Sequence, residues 1–139
     1  MNTRTTHQLY RIGDVTELLG LSADTLRYYE KSGVLPKISR TAGGIRQYDN
    51  ADISRLRFIQ RAQKMNFSLA EIRDLLRMRE DPQHARDEVR QLTAQKLKET
   101  QTRLAELTTL GNELQLLLNL CRGSEDGCPI IERIDDKDD

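Results

Sequence analysis

Between Pro82 and Pro129 the chain contains no proline, and through that stretch Leu97, Thr100, Leu104, Leu107, Gly111, Leu114, Leu118 and Cys121 recur at alternating steps of three and four. This spacing is a heptad seam, a single stripe along one side of an α-helix. Asp81-Pro82 supplies the start, with aspartate as N-cap and proline at the first helical position, where its missing N–H costs nothing. A helix of roughly 40 residues is about 60 Å long at 1.5 Å per residue. The small region ahead of it cannot bury such a stripe, so the seam calls for a partner helix, most simply a second copy of the chain. Folding back within one chain requires a break at Gly111; a glycine at a seam position instead allows two helices to approach closely.

Composition agrees with a small core and much helical surface: 37% of the 139 residues are hydrophobic, 32% are charged and none is tryptophan. The formal net charge of zero hides an asymmetry. Residues 1–80 carry 14 Lys/Arg against 9 Asp/Glu, whereas residues 81–139 carry 8 against 13. A basic front and an acidic back are the split expected of a DNA-binding head on a body that does not touch DNA. No apolar run approaches the ~18 residues that span a bilayer, and the opening MNTRTTHQ is polar, so the expected location is the cytoplasm, with no membrane partner. In that reducing compartment, Cys121 and Cys128 read as metal ligands or reactive thiols rather than a structural disulfide.

Residues 1–8 read as a disordered lead. Ile12, Val15, Leu18 and Leu19 then fall at helical spacing, and Gly20 stops that helix. Ser22 is a good N-cap for a second helix with Leu26 and Tyr29 pointing inward and Asp24, Thr25, Arg27 and Tyr28 on other faces. Two short helices across a glycine turn make a helix-turn-helix. Gly33, Pro36 and Gly43-Gly44 next break helix repeatedly, and Ile45, Gln47 and Tyr48 alternate as a short strand. A hairpin fits there, with Arg40 and Arg46 flanking its glycine tip as a basic wing able to lie along phosphates; the other reading is a solvated loop with two arginines. Asp49 caps a third helix through Ile53, Leu56, Ile59 and Met65, and Ser68-Leu69-Ala70-Glu71 is a capping box for a fourth with Leu69, Ile72, Leu75 and Leu76.

Tyr10-Arg11-Ile12-Gly13-Asp14-Val15, Thr25-Leu26-Arg27-Tyr28-Tyr29-Glu30, Gly33-Val34-Leu35-Pro36, Arg40, Gly43-Gly44-x-Arg46-x-Tyr48 and Phe67-Ser68-Leu69-x-Glu71-Ile72 resemble the MerR family of bacterial regulators. R-Y-Y-E followed at this distance by R-x-x-G-G-x-R-x-Y is far more demanding than a lone helix-turn-helix, and the likeness covers nearly the whole chain. The ending Cys121-x6-Cys128-Pro-Ile-Ile looks like the metal-sensing branch, particularly its copper-responsive members. The resemblance implies that Ala23, Asp24, Thr25 and Arg27 enter the major groove, with Arg27 at a base edge or phosphate. It also implies that Tyr28, Arg40, the Gly43-Gly44 tip, Arg46 and Tyr48 anchor backbone phosphates. Ile45 departs from the pattern, since many relatives carry an aromatic there. MerR-type regulators act as dimers on a palindrome in double-stranded promoter DNA, within an overlong spacer, and bend and undertwist it on effector binding so that RNA polymerase engages both promoter elements.

Two thiolates with six residues between them suit a soft monovalent ion such as Cu(I), which accepts two sulfur ligands, whereas Zn(II) normally takes four ligands. The two histidines, His7 and His84, supply no obvious divalent site. Metal-sensing relatives usually carry Ser or Cys near the start of the long helix, at the position that is Arg86 here. Two roles for that arginine follow. With Arg90 one turn on, it neutralises an anionic bis-thiolate site from the other subunit of an antiparallel dimer; or it lowers the pKa of a thiol that responds to oxidants or electrophiles, with no metal cofactor. A third reading leaves Cys121 as a seam residue and Cys128 as an incidental loop thiol.

The expected fold is all-α with a small β wing: a winged helix-turn-helix head over 9–80, a long antiparallel coiled-coil dimerisation helix over 82–120, and an effector loop with a short terminal helix over 121–134. The dimer interface is expected at Leu97, Leu104, Leu107, Gly111, Leu114 and Leu118. No nucleophile–base pair or phosphate-cradling glycine motif points to an enzyme. The rival from another class is a coiled-coil interaction protein without specific DNA binding.

Overall fold

The computed structural model describes residues 8–122 and 127–135. Most of the polar lead, the centre of the loop between the cysteines and the end of the acidic tail lie outside these residues. The chain divides into two compact units, residues 1–91 and 92–139. Its elements run α1 (Ile12–Leu19), α2 (Ala23–Ser32), β1 (Ser39–Arg40), β2 (Arg46–Gln47), α3 (Asn50–Lys64), α4 (Leu69–Glu80), α5 (Pro82–Arg122) and α6 (Pro129–Asp135). The fold is all-α with a two-stranded wing.

Each helix boundary in the first unit has a local cause. Asp14 accepts the Arg11 N–H at 3.0 Å to open α1, and Gly20 closes it at φ 70°, a left-handed conformation that favours glycine. Ser22 accepts the Thr25 N–H at 3.1 Å at the start of α2, and Gly33 ends it at φ 81°. Asp49 with Asp52, and Ser68 with Glu71, form reciprocal capping boxes on α3 and α4. Asp81 alone separates α4 from α5.

Val15, Leu26, Leu56, Ile59 and Ile72 are fully buried and draw α1 to α4 around one core, with Tyr29, Leu35, Ile38, Ile53 and Leu76 beside them. Three hydrogen bonds to helix ends and faces fix the arrangement. Gln60 of α3 donates to the Leu19 carbonyl at 2.7 Å, the Tyr29 hydroxyl donates to Gln63 at 3.0 Å, and Arg73 of α4 donates to the Ser32 carbonyl at the end of α2. Leu18, read from its spacing as part of the inward stripe of α1, is exposed, because eight residues of helix bring only Val15 fully under the core. Met65 is likewise exposed and caps α3 instead of extending it.

The wing is an antiparallel ribbon in which Ser39 faces Gln47 and Arg40 faces Arg46. Its base is tied to the start of the head by a pair of hydrogen bonds between the backbones of Tyr10 and Tyr48, both 2.7 Å.

Helix α5 runs for 41 residues through Gly111 without interruption, so a fold-back at that glycine is excluded. Leu97, Leu104, Leu107, Leu114 and Leu118 are all about half exposed or more on this single chain, as are Leu110, Leu116 and Leu120. A Cβ placed on Gly111 would meet no atom within 4 Å. Among the described residues no helix is long and apolar enough to cross a membrane.

Candidate nucleic-acid interface and thiol site

Helix α2 separates inside from outside within two adjacent residues. Tyr29 is 3% exposed and Tyr28 is 56% exposed, because their directions differ by the 100° step of the helix. The outer face that carries Tyr28 also carries Asp24 and Arg27, joined at 3.1 Å between Asp24 Oδ1 and Arg27 Nη1. Both side chains are well exposed, so water screens this pair and it holds Arg27 only weakly. Ala23, Asp24 and Thr25 form the first turn of α2, where the positive end of the helix dipole favours an anion, although the Ser22 side chain already takes the Thr25 N–H.

Beside α2 stands the wing. Arg40 Nη1 donates to the Gly44 carbonyl at 3.0 Å, and the Thr41 hydroxyl accepts the Ile45 N–H at 3.1 Å; these bonds shape the tip around Gly43 and Gly44, with Gly44 at φ 83°. Arg46 turns back toward the head, its Nε donating to Glu30 Oε2 at 2.8 Å. Between α2 and the wing lies a cleft of about 740 Å³, lined by Arg27, Lys31, Lys37 and Arg46, with Glu30 as the carboxylate on its wall. Sequence reasoning named Arg27 and Arg46 but missed the link through Glu30, whose signal was its place as the last letter of R-Y-Y-E.

Tyr48 departs from its expected place on the DNA backbone. It is wholly buried in the head core, and its hydroxyl oxygen is sealed from solvent with no hydrogen-bond partner among the described residues. Burial pushes its pKa up, with the Arg46 charge acting against that shift. The physical reason is the Tyr10 bridge, which fixes the Tyr48 backbone at the foot of the wing and leaves its ring directed into the core.

Cys121 lies in the last turn of α5, exposed, and Cys128 stands immediately before α6, partly exposed; both are free thiols. Among the described residues no cluster of three or more His, Cys, Asp or Glu side chains could hold a metal ion. Arg86 and Arg90, both in the first unit, lie one turn apart on α5, beside a largely apolar cleft that also involves Phe58, Leu75, Met78 and Val89.

Residues 10–79 match the model of the MerR HTH family regulatory protein, and residues 53–117 match that of MerR, DNA binding. The HTH-type transcriptional regulator ZntR of Escherichia coli strain K12 is 37% identical over 131 residues, covering 91% of this chain and 93% of ZntR. Among solved structures, the transcription regulator PbrR691 from Ralstonia metallidurans CH34 in complex with lead(II) is similar with a TM-score of 0.75 at 32% identity, covering 89% of this chain and 98% of that one. HiNmlR, a MerR family regulator lacking the sensor domain, is solved bound to promoter DNA and is similar with a TM-score of 0.60 at 27% identity, over 81% of this chain and 85% of its own. The chain belongs to the MerR family of helix-turn-helix transcription regulators, proteins that bind promoter DNA and are not enzymes.

Proposed function

We propose that this regulator works in the cytoplasm as a homodimer on a palindromic operator, with α2 of each copy in the major groove and the wing along the adjacent backbone. Ala23, Asp24, Thr25 and Arg27 face base edges, while Tyr28, Arg40, the Gly43-Gly44 tip and Arg46 meet phosphates. The observation that carries this reading is the outer face of α2, where Asp24, Arg27 and Tyr28 stand exposed next to a basic cleft and wing. Arg27→Ala then relaxes sequence preference in binding to selected operator variants. Unchanged affinity and unchanged preference in that mutant remove α2 from the groove.

The effector in this proposal is one soft monovalent ion held by Cys121 and Cys128, with Cu(I) as the leading candidate. Support for a monovalent ion comes from the two-thiol donor set, and support for a metal effector in general from the relative solved with lead(II). Two thiolates around one positive ion leave one negative charge, and a cation nearby lowers the cost of burying it. In an antiparallel pair centred near Leu104, residues 86 and 121 are about equally far from the centre, which puts Arg86 of the second copy, with Arg90 behind it, in the balancing role. Ion binding then biases a two-state dimer toward the form that bends and undertwists the promoter for RNA polymerase.

Anaerobic titration with Cu(I) and Ag(I), alongside transcription from the chain's own promoter region, tests this. Stoichiometric binding is expected, with Cys121→Ser and Cys128→Ser abolishing induction while operator binding persists. No binding, with peroxide or an electrophile inducing through the same cysteines, replaces the metal effector by a thiol-redox one.

A further inference from the structure

The wing is too short to hold itself. Each strand has two residues, and an isolated two-stranded hairpin is marginal in water even when longer. Its foot is tied down by the Tyr10–Tyr48 bridge. Higher up, the side-chain tie to α2 is the contact between Glu30 and Arg46.

That contact is not an ordinary surface ion pair. The Glu30 and Arg46 side chains are only 13% and 24% exposed, so both are largely withdrawn from water and the charge-assisted bond is screened little. Its geometry is selective. Glu30 takes the Nε–H of Arg46, and among the described residues no partner occupies the two terminal amino groups of the guanidinium, the edge suited to a bidentate phosphate contact. Glu30 also stands on the same helix as Arg27, between one and two turns from the first turn of α2. One carboxylate thus ties the arginine of the wing to the helix that faces the bases.

We infer that Glu30 is a positioning residue for DNA binding: it holds the Nε edge of Arg46 so that the terminal edge of the guanidinium is presented to a backbone phosphate in register with α2. The inference rests on the proposed placement of Arg46 at the backbone. It assigns to an acidic residue, which would repel DNA by charge alone, a role that increases specific binding.

The test measures binding of the full-length chain to a duplex that the wild type selects from a random library, across a salt series. Arg46→Ala is expected to reduce the slope of log affinity against log salt by about one, the loss of one phosphate contact. Glu30→Ala is expected to reduce it by a similar amount although it removes no cation, and the double mutant to fall no further. Glu30→Asp keeps the negative charge but draws it back by one methylene, and is expected to behave like Glu30→Ala. Glu30→Gln retains an oxygen acceptor and is expected to restore most of the slope. A role confined to folding would lower thermal stability and leave the slope of the folded fraction unchanged.

A steeper slope or tighter binding in Glu30→Ala overturns the inference, because Glu30 would then merely neutralise Arg46. So does a normal slope in Glu30→Asp, which settles the matter even if Glu30→Ala does not fold, and so does an additive loss in the double mutant. If Arg46→Ala alone leaves the slope unchanged, the backbone placement of Arg46 fails and the inference fails with it; a normal Glu30→Ala beside an impaired Arg46→Ala sinks the inference alone.

Discussion

Tyr28 and Tyr29 are neighbours in the chain with opposite surroundings, and the helical period alone predicts which is buried. Tyr48 was not legible in that way. A strand of two residues gives too little alternation to decide its face, and the resemblance to known regulators suggested a phosphate contact; the core placement follows from a backbone bridge to Tyr10, 38 positions earlier, which no local pattern reveals. Glu30 and Arg46, 16 residues apart, escaped for the same reason. The buried Tyr48 hydroxyl makes a clear prediction. A polar group sealed from water without a partner has a desolvation cost and no compensating bond, so Tyr48→Phe should leave stability unchanged or raise it by about 1 kcal/mol. Operator affinity should not change. Denaturant unfolding and a binding isotherm check both, and a many-fold loss of affinity at unaltered stability would put that hydroxyl on the DNA.

At the scale of elements, the ends of helices were the most legible feature, because a cap is a contact between residues three apart. Ser22, Asp49 and Ser68 start α2, α3 and α4 as their sequence positions indicate, and Gly20 and Gly33 end α1 and α2. The hairpin was legible from its glycines, but not its register, which pairs Arg40 with Arg46. Asp49 offers the sharpest test. Its carboxylate accepts the Asp52 N–H at 2.8 Å, and that backbone bond draws its pKa below the usual carboxylate range, against a smaller opposing effect of burial. Asp52 is pushed the other way by its own burial. For Asp49 the folded state binds its proton less readily than the unfolded state. Its stabilisation is therefore present above the ordinary carboxylate pKa and is lost as pH falls through the lowered folded value. Asp49→Ala should cost about 1 kcal/mol near neutral pH, and thermal melts should show the gap to wild type narrowing in acid. A gap that stays constant down to pH 2 would assign the cap's value to packing rather than charge.

The whole molecule joins a basic head to an acidic body by a helix whose apolar stripe faces water on the single chain. The sequence made that stripe legible because a heptad is a repeating signal, and the structure adds that α5 passes through Gly111 unbroken. What no single chain displays is the direction of the partner. Leu104, Leu107, Leu114 and Leu118 are each about half exposed or more, and removing such side chains from water is worth roughly 1.5–3 kcal/mol apiece when burial is complete. Several leucines from each of two copies supply a driving force of many kcal/mol, so dimerisation through α5 is the expected state. Leu107 is 57% exposed and sits in the middle of the stripe. Leu107→Glu replaces an apolar contact by a carboxylate in each copy, and the symmetry of a homodimer makes the penalty count twice. At even 1.4 kcal/mol per copy the dissociation constant rises about 100-fold, and the real cost of a buried, unpaired charge is larger. Sedimentation at micromolar protein should show the wild type as a dimer and Leu107→Glu as a monomer, with circular dichroism reporting a head that is still folded. On the palindromic operator proposed above, tight binding needs both half-sites, so operator affinity should collapse together with the dimer. A Leu107→Glu chain that sediments as a dimer would move the interface off this stripe.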